Sequence, residues 1–552
     1  MEVAAASLRA TLSNVPTLTI PLVLLILVIV FKPREKQPPS LPDKIPFISN
    51  TLQYLTDPHR FLTRAITHMT PTNILTFRLG PVKVYCVQKP HNILPLLRVT
   101  NDFSSEGFMV MTFRGLWDLD PVDIAKFSAD KSGRLKKPAS PFSSSSSSST
   151  TNSKRYWYAE RKLYEEFLSR GAVANTMTDK YADMFSQRLG EQPLHEWATV
   201  SLFKWVKKHM TDAAVVSLIG PRILQQTPDF SDLFWDFDSN LFYLIMGPPK
   251  WLNRHPWRVH KAFHDAVARY VETAWREFNW DGPDAESDWE PVFGARVARE
   301  LQKWCREAGF SDRTVRGFVA MLITAQNSNP IPLLTWALYE VVRDGELFAA
   351  VRKEVDTAWV VDDDDGGARG ERRRRRRRRL DFQKLTGCVL LNSVVVEIFR
   401  LHDSPNVVRE VNKEVVMEGF TIKRGSYIQG ITKVGHYDEG IWGIEGHPAS
   451  EFWAGRHLES VTLGPELGVA GKPGAFVPFG GGTGACPGRF LAKQEILVGL
   501  AMIVSRFDVE FVEWTHLDGK PSDRAAQDDP AYAGAVAVSP DREMKVRWKR
   551  LW

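Results

Sequence analysis

Phe479-Gly480-Gly481-Gly482-Thr483-Gly484-Ala485-Cys486-Pro487-Gly488-Arg489 presents a single cysteine on a glycine-rich loop. An apolar, helix-competent segment follows, carrying Phe490, Leu491, Ile496, Leu497, Leu500 and Ile503. Glycines let the backbone come close to a ligand, their N–H groups can hydrogen-bond sulfur, and the start of a helix favours negative charge. A loop of this kind can hold a thiolate beneath a flat metal cofactor. Cysteine thiolate is the haem ligand that pushes electron density to favour O–O cleavage.

Two other readings compete. An isolated cysteine is often simply a buried thiol. Gly480-Gly481-Gly482-Thr483-Gly484-Ala485 also satisfies G-x-G-x-x-A, with Glu510 at the end of a strand-like Phe507–Glu510, as in a dinucleotide site. Against the latter, Ala475-Phe476-Val477 is short and broken by Pro478, and Pro487-Gly488 interrupts the place where a pyrophosphate-binding helix would open. Too little chain follows Glu510 for the repeating strand–helix units such a fold requires.

The loop becomes specific in company. Glu397-Ile398-Phe399-Arg400 sets a carboxylate and a guanidinium three apart on the helical stretch Cys388–Leu401. Alone, that pair would be a surface ion pair worth about a few tenths of a kcal/mol. Phe452-Trp453-Ala454-Gly455-Arg456-His457 then supplies a second arginine upstream of Cys486. Glu-x-x-Arg, an arginine segment and Phe-x-x-Gly-x-x-x-Cys-x-Gly, in this order, resemble the cytochrome P450 superfamily from about Pro38 to the C-terminus.

That resemblance implies a mainly α fold with small β-sheets and a haem whose iron is held by Cys486. Phe479 and Gly488 are the flanking positions of the cysteine motif, and Glu397, Arg400 and Arg456 form its structural brace. Trp157-Tyr158-Ala159-Glu160-Arg161 matches the family's Trp-x-x-x-Arg, whose arginine contacts a haem propionate. Arg409, after the Glu-x-x-Arg helix, is a second propionate candidate. Many members place Arg, His or Thr two residues before the cysteine; here Gly484 stands there, and Arg409 carries more of the task.

The distal helix departs further. In Thr324-Ala325-Gln326-Asn327-Ser328-Asn329-Pro330-Ile331-Pro332 the usual acid–threonine pair is absent. Pro330 and Pro332 predict a kink within the long helical stretch Val315–Val342. Ser328 and Asn329 are the candidates to organise distal water, although an amide cannot donate a proton at a useful pKa. Ala325-x-x-x-Asn329-x-Ile331-Pro332 resembles the branch of sterol 7α- and 12α-hydroxylases and prostacyclin synthase. The cysteine loop followed by Ala492-Lys493-Gln494-Glu495 is similar to fungal relatives.

The chain has 552 residues, 43% of them hydrophobic, with eighteen tryptophans, ample for a large core. Its four cysteines form no C-x-x-C pair, which argues against a disulfide framework or structural zinc and for a reducing compartment. The net charge of +6 rests on Arg372–Arg379; without that run 63 basic residues face 65 acidic ones. No nucleic-acid partner is expected, and the run reads as a solvated insertion. Ser143–Ser149 marks another.

Leu18–Phe31 is strongly apolar and, with Val15-Pro16-Thr17, is near the lower limit of about 17 residues for a membrane-spanning helix. Lys32, Arg34 and Lys36 follow, leaving the body cytosolic by the positive-inside rule. A secretory signal would carry its charge before the apolar run and a small-residue cleavage site after it. The expected organisation is an anchor over 1–31, a proline-rich connector over 32–48 and a catalytic domain over 49–552, with insertions near 143–153 and 362–379. Microsomal members of the family are arranged this way: single-pass in the endoplasmic reticulum membrane, in contact with membrane lipid.

Within the body, 73–79 and 82–87 read as strands around Gly80-Pro81, and strand patterns return at 414–422, 509–512 and 545–547. Helix patterns cover 157–168, 176–189, 259–278, 315–342 and 489–507. The segment 103–117, rich in Phe, Met and Trp, is expected to supply part of a pocket. The whole implies a haem-thiolate monooxygenase that oxidises a lipophilic polycyclic small molecule with O2 and electrons from NADPH-cytochrome P450 reductase. An oxygen-independent isomerase or lyase, or a non-catalytic haem-binding protein, are the alternatives.

Overall fold

The computed structural model describes residues 36–98, 102–137, 155–169, 171–362, 377–462, 472–532 and 536–552. The anchor segment 1–31, the insertion near 143–153 and nearly all of that at 362–379 lie outside the described residues. Among the described residues, no helix is long and apolar enough to cross a membrane.

The expected hairpin forms from Ile74–Leu79 (β1) and Val82–Val87 (β2), in register from Ile74↔Val87 to Leu79↔Val82. Gly80 turns it at φ +55°, which glycine adopts without a Cβ clash. Phe103–Ser104 (β3), Asn406–Val411 (β4) and Tyr427–Ile431 (β5) complete a five-stranded sheet in the order β1-β2-β5-β4-β3. The stretch 414–422, expected as one strand, is instead a tight pair, Val415–Met417 and Phe420–Ile422, turned by Glu418 and Gly419 at positive φ. A three-stranded sheet joins Phe507–His516, Arg542–Arg550 and Trp197–Ser201.

Helices form the remainder. Those that frame the site are Tyr156–Phe167 (α1), Gly171–Gly190 (α2), Phe230–Asp238 (α3), Asp312–Asn327 (α4), Pro330–Arg343 (α5), Val389–His402 (α6) and Arg489–Arg506 (α7). Helix α4 starts at Ser311, whose side chain accepts from Thr314 N–H, with Asp312 in the first turn where the helix dipole favours it. The predicted kink is a full break at Ser328–Asn329 before α5. Pro330 and Pro332 supply no N–H to carbonyls one turn back, so the ladder cannot run through.

Helix α7 packs against α2, α5 and α6, and α5 also packs on α6. Beyond their first turns α6 and α7 are buried all round: Leu391 to Leu401 and Gln494 to Arg506 are buried without interruption. A surface helix would keep a polar face. Glu397 and Arg400 therefore lie in the core rather than on a solvated face, which changes the energetics of that pair.

Candidate active site

The cysteine loop is bent by glycine. Gly480 and Gly482 have φ of +67° and +59°, and a Cβ on Gly482 would overlap the Leu97 carbonyl. Only glycine meets both conditions. The bend lets Cys486 N–H donate to the Phe479 carbonyl at 2.9 Å, while Phe479 packs on Phe399 of α6 with ring centroids 5.0 Å apart. Cys486 thus stands three residues ahead of α7, whose cap is Gly488. Burial pushes its thiol up, against the opposing pull of the Gly488 N–H and the Arg489 charge. Without a metal the site favours the thiol; a coordinated cation would deprotonate it outright.

Behind the loop lies the brace. Arg400 meets Glu397 through two bonds, Nε to Oε2 and Nη2 to Oε1, both 2.8 Å. Arg456 Nε reaches Oε1 at 2.8 Å, and His457 Nε2 lies 2.9 Å from Oε2. Remaining guanidinium protons go to carbonyls: Arg400 to His436 and Ala449 at 2.7 and 2.6 Å, Arg456 to Pro448 at 3.0 Å. Burial alone would raise the Glu397 carboxyl, but hydrogen bonds from Arg400 and His457 bring it down to about 2. Burial lowers His457, against the Glu397 hydrogen bond and charge, which pull it back up. The structure brings Glu397, Arg400 and Arg456 together, and adds His457, which no spacing rule had singled out.

Above Cys486 opens a cavity of about 720 Å³, walled by α1, α4, α5, the α6–β4 turn and the cysteine loop. Arg409 on β4 lines it, donating from Nε to the Leu96 carbonyl and from Nη1 to the Val408 carbonyl. Its Nη2 lies 3.1 Å from where a Cβ on Gly484 would sit. The missing side chain two residues before the cysteine is thus replaced in space by the Arg409 guanidinium. Arg161 also lines the cavity, but its Nε donates to Glu165 Oε1 at 2.6 Å, one helical turn away.

Asn329 lines the cavity at the start of α5, its Oδ1 accepting from Ala537 N–H at 3.2 Å. Ser328 departs from expectation. Its hydroxyl turns away from the cavity and donates to Asp238 at the end of α3. That carboxyl is fully buried and takes a second, longer bond from Tyr532 at 3.4 Å. A buried acid needs donors, and Ser328 is drawn to it rather than to distal water. Of the segment 103–117, Met109 lines the cavity, whereas Phe113 and Trp117 pack into the core.

Two further buried acids stand on the cavity wall. Glu495 on α7 accepts from Gln326 Nε2 at 2.8 Å, tying α7 to α4, and burial pushes its carboxyl up to about 8. Asp403, just past the end of α6, is 1% exposed, and its Oδ1 has no hydrogen-bond partner among the described residues.

The site is thus a thiol on a loop ahead of a helix, braced from behind and facing a cavity, and the chain matches the family model of cytochrome P450 over residues 122–523. The chain belongs to the cytochrome P450 family. It is 43% identical over 518 residues to the cytochrome P450 monooxygenase calL of Penicillium decumbens, covering 94% of each chain. It is 26% identical to the monooxygenase fsoE of Humicola fuscoatra, covering 93% of this chain and 88% of that one. Cytochrome P450 7B1 of Mus musculus is 21% identical, over 87% and 86% of the two chains. Among solved structures, the retinoic acid bound cyanobacterial CYP120A1 shares the fold with a TM-score of 0.62 at 14% identity, over 94% of this chain and all of that one.

Cytochromes P450 are haem-thiolate enzymes, and the residues here fit the group. The cavity offers a thiol at its floor, a guanidinium in the space vacated at Gly484, and buried N–H donors on Arg134 and Arg161 that no acceptor among the described residues satisfies. Cys486 would hold the iron through its sulfur, and Arg409 and Arg161 would hold the propionates. When bound, the haem supplies oxygen activation. The chain supplies a held sulfur, a braced loop and a largely apolar enclosure.

Proposed function

We propose that this P450 is a membrane-anchored monooxygenase that hydroxylates or similarly oxidises a lipophilic polycycle, such as a terpenoid, sterol or polyketide-derived secondary metabolite. The observation carrying the reading is the cavity of about 720 Å³ over Cys486. Leu168, Leu218, Met321, Leu333 and Val536 give it apolar walls suited to a lipophilic substrate. A relative at 21% identity is the 25-hydroxycholesterol 7-alpha-hydroxylase of Rattus norvegicus, which is in keeping with a polycyclic substrate. Electrons would come from an NADPH-cytochrome P450 reductase. Leu18–Phe31 followed by Lys32, Arg34 and Lys36 supports single-pass anchoring in the endoplasmic reticulum with the body cytosolic.

An oxygen-independent isomerase is a second reading, favoured by one observation. Asn329 stands where a proton-relaying hydroxyl is usual, and its Oδ1 is taken by Ala537. Microsomes carrying the chain and a fungal reductase, fed candidate polycycles, separate the two. Monooxygenation requires NADPH and O2 and places one atom of 18O2 in the product. Turnover of the same substrate without NADPH or O2 supports the isomerase and overturns the first reading.

A further inference from the structure

One wall of the cavity concentrates buried polar atoms that lack a hydrogen-bond partner among the described residues. They are Arg134 Nε and Nη2, Glu106 Oε2, Glu160 Oε2, Arg161 Nη1 and Tyr164 Oη. Arg134, Glu160, Arg161 and Tyr164 all line the cavity. Arg134 lies 3.5 Å from Glu160 and 3.9 Å from Glu106, close enough for ion pairing but without a formed hydrogen bond. Native interiors leave few such atoms, and a cluster of them marks a polar group yet to be received.

The cluster is rigid. The Arg134 guanidinium lies over the Trp157 ring at 4.9 Å. That ring is stacked on Phe113 with centroids 5.7 Å apart, and its Nε1–H donates to the Phe127 carbonyl at 3.0 Å. Trp157 is 1% exposed, so the platform cannot swing to follow a loose arginine. Two unsatisfied N–H groups are therefore held in place, facing a cavity that elsewhere offers Arg409 beside Gly484.

We propose that Arg134 is a propionate-binding residue of the haem, acting with Arg161 Nη1 in addition to the Arg409 guanidinium that fills the space at Gly484. This rests on the haem fit argued above. The two oxygens of a propionate would accept one bond each from Arg134 Nε and Nη2, the planar two-pronged pairing that guanidinium offers carboxylates. Burial raises the Glu160 carboxyl from its ordinary range against the lowering pull of the Arg134 charge, so its ionised form is disfavoured beside the site. Arg134 stands outside every motif of the chain, just before the serine-rich insertion, and so is visible only once the chain is folded.

The test is haem transfer from the purified full-length holoprotein to excess apomyoglobin, for wild type, Arg134→Gln and Arg134→Lys. Each is loaded either with natural haem or with haem dimethyl ester, whose propionates are masked. With natural haem, Arg134→Gln should release the group about ten- to a hundredfold faster, and Arg134→Lys less than that. With the ester, wild type and variants should release it at one rate. A difference that persists with the ester assigns Arg134 a merely structural role and overturns the proposal. So does an Arg134→Gln rate equal to wild type with natural haem. If Arg134→Gln does not load, the comparison between wild type and Arg134→Lys carries the test alone. A thiolate-type band in the reduced carbon monoxide spectrum of wild type keeps the haem-thiolate reading standing whichever way the proposal falls.

Discussion

At the residue scale, the two buried glutamates on either side of the cysteine have opposite electrostatics, and their pH signatures should differ in sign. Glu397 is depressed to about 2, because the Arg400 and His457 hydrogen bonds outweigh burial. Its contribution to stability is present above the unfolded carboxyl range near 4.5 and is lost as pH falls toward 2, an amount on the order of 3 kcal/mol. Glu495 is raised to about 8 by burial. Its contribution is complete below about 4.5 and is lost as pH rises through 8. Glu495→Gln should therefore match wild type in thermal stability at pH 5 and exceed it at pH 8, while Glu397→Gln should unfold earlier at every pH above 5. Thermal unfolding followed by circular dichroism from pH 5 to 8 checks both; an Glu495→Gln curve parallel to wild type removes the assignment.

The cysteine and its glycines make sharper statements. Cys486→Ala should abolish the thiolate-type Soret band of the reduced carbon monoxide complex, and a band that survives would exclude Cys486 as the ligand. Gly482→Ala meets both a φ of +59° and the Leu97 carbonyl. It should cost on the order of 1–3 kcal/mol and displace the loop, read as a lowered melting temperature and lost haem content. These residues were legible because their motifs are contiguous or set three apart in the chain. His457, Arg134 and Asp403 were not, since each owes its place to packing between segments far apart in sequence. Arg161 was legible by spacing, but the spacing could not reveal that Glu165 engages it.

At the element scale, the break between α4 and α5 is held from two sides. Ser328 donates to Asp238 on α3, and Asn329 accepts from Ala537 near the C-terminus. Ser328→Ala leaves the fully buried Asp238 with only the 3.4 Å Tyr532 bond. The loss should be about 1–3 kcal/mol, the cost of an under-satisfied buried acceptor, read as an earlier denaturant midpoint at unchanged slope. The prolines made an interruption legible in advance; the direction of Ser328 was not, because it depends on an acid ninety residues upstream. The hairpin of β1 and β2 was readable from alternation around Gly80-Pro81. Strands β4 and β5 were missed, because each is short and finds its partners across the chain, with β5 running parallel to β2. Burial on both sides likewise erased the polar stripe that would have marked α6 and α7 as ordinary amphipathic helices.

At the scale of the whole molecule, composition suggested insertions, and the described fold shows how one of them is bridged. Trp359–Asp362 pairs with Arg377–Leu380 in antiparallel register, closing on Asp362↔Arg377. The ends of the segment 363–376 are thus neighbours in a two-stranded ladder, the spacing that a tight turn spans. Cβ-bearing residues resist the positive φ of such a turn, so Asn-Gly is the replacement of choice. Closing a loop costs free energy that grows with the logarithm of its length, about 0.6 kcal/mol per doubling. Replacing 363–376 by Asn-Gly should therefore leave the thiolate-type carbon monoxide band intact and stabilise the protein by about 1–2 kcal/mol. It also removes most of the arginine run, which carries the chain's net positive charge. If that run served a docking role in turnover, the shortened chain would keep its band and its stability but lose NADPH-dependent activity with reductase. Loss of the band instead would mean that the segment contributes to the core near Leu380 and Leu385, contrary to the reading of it as a solvated insertion.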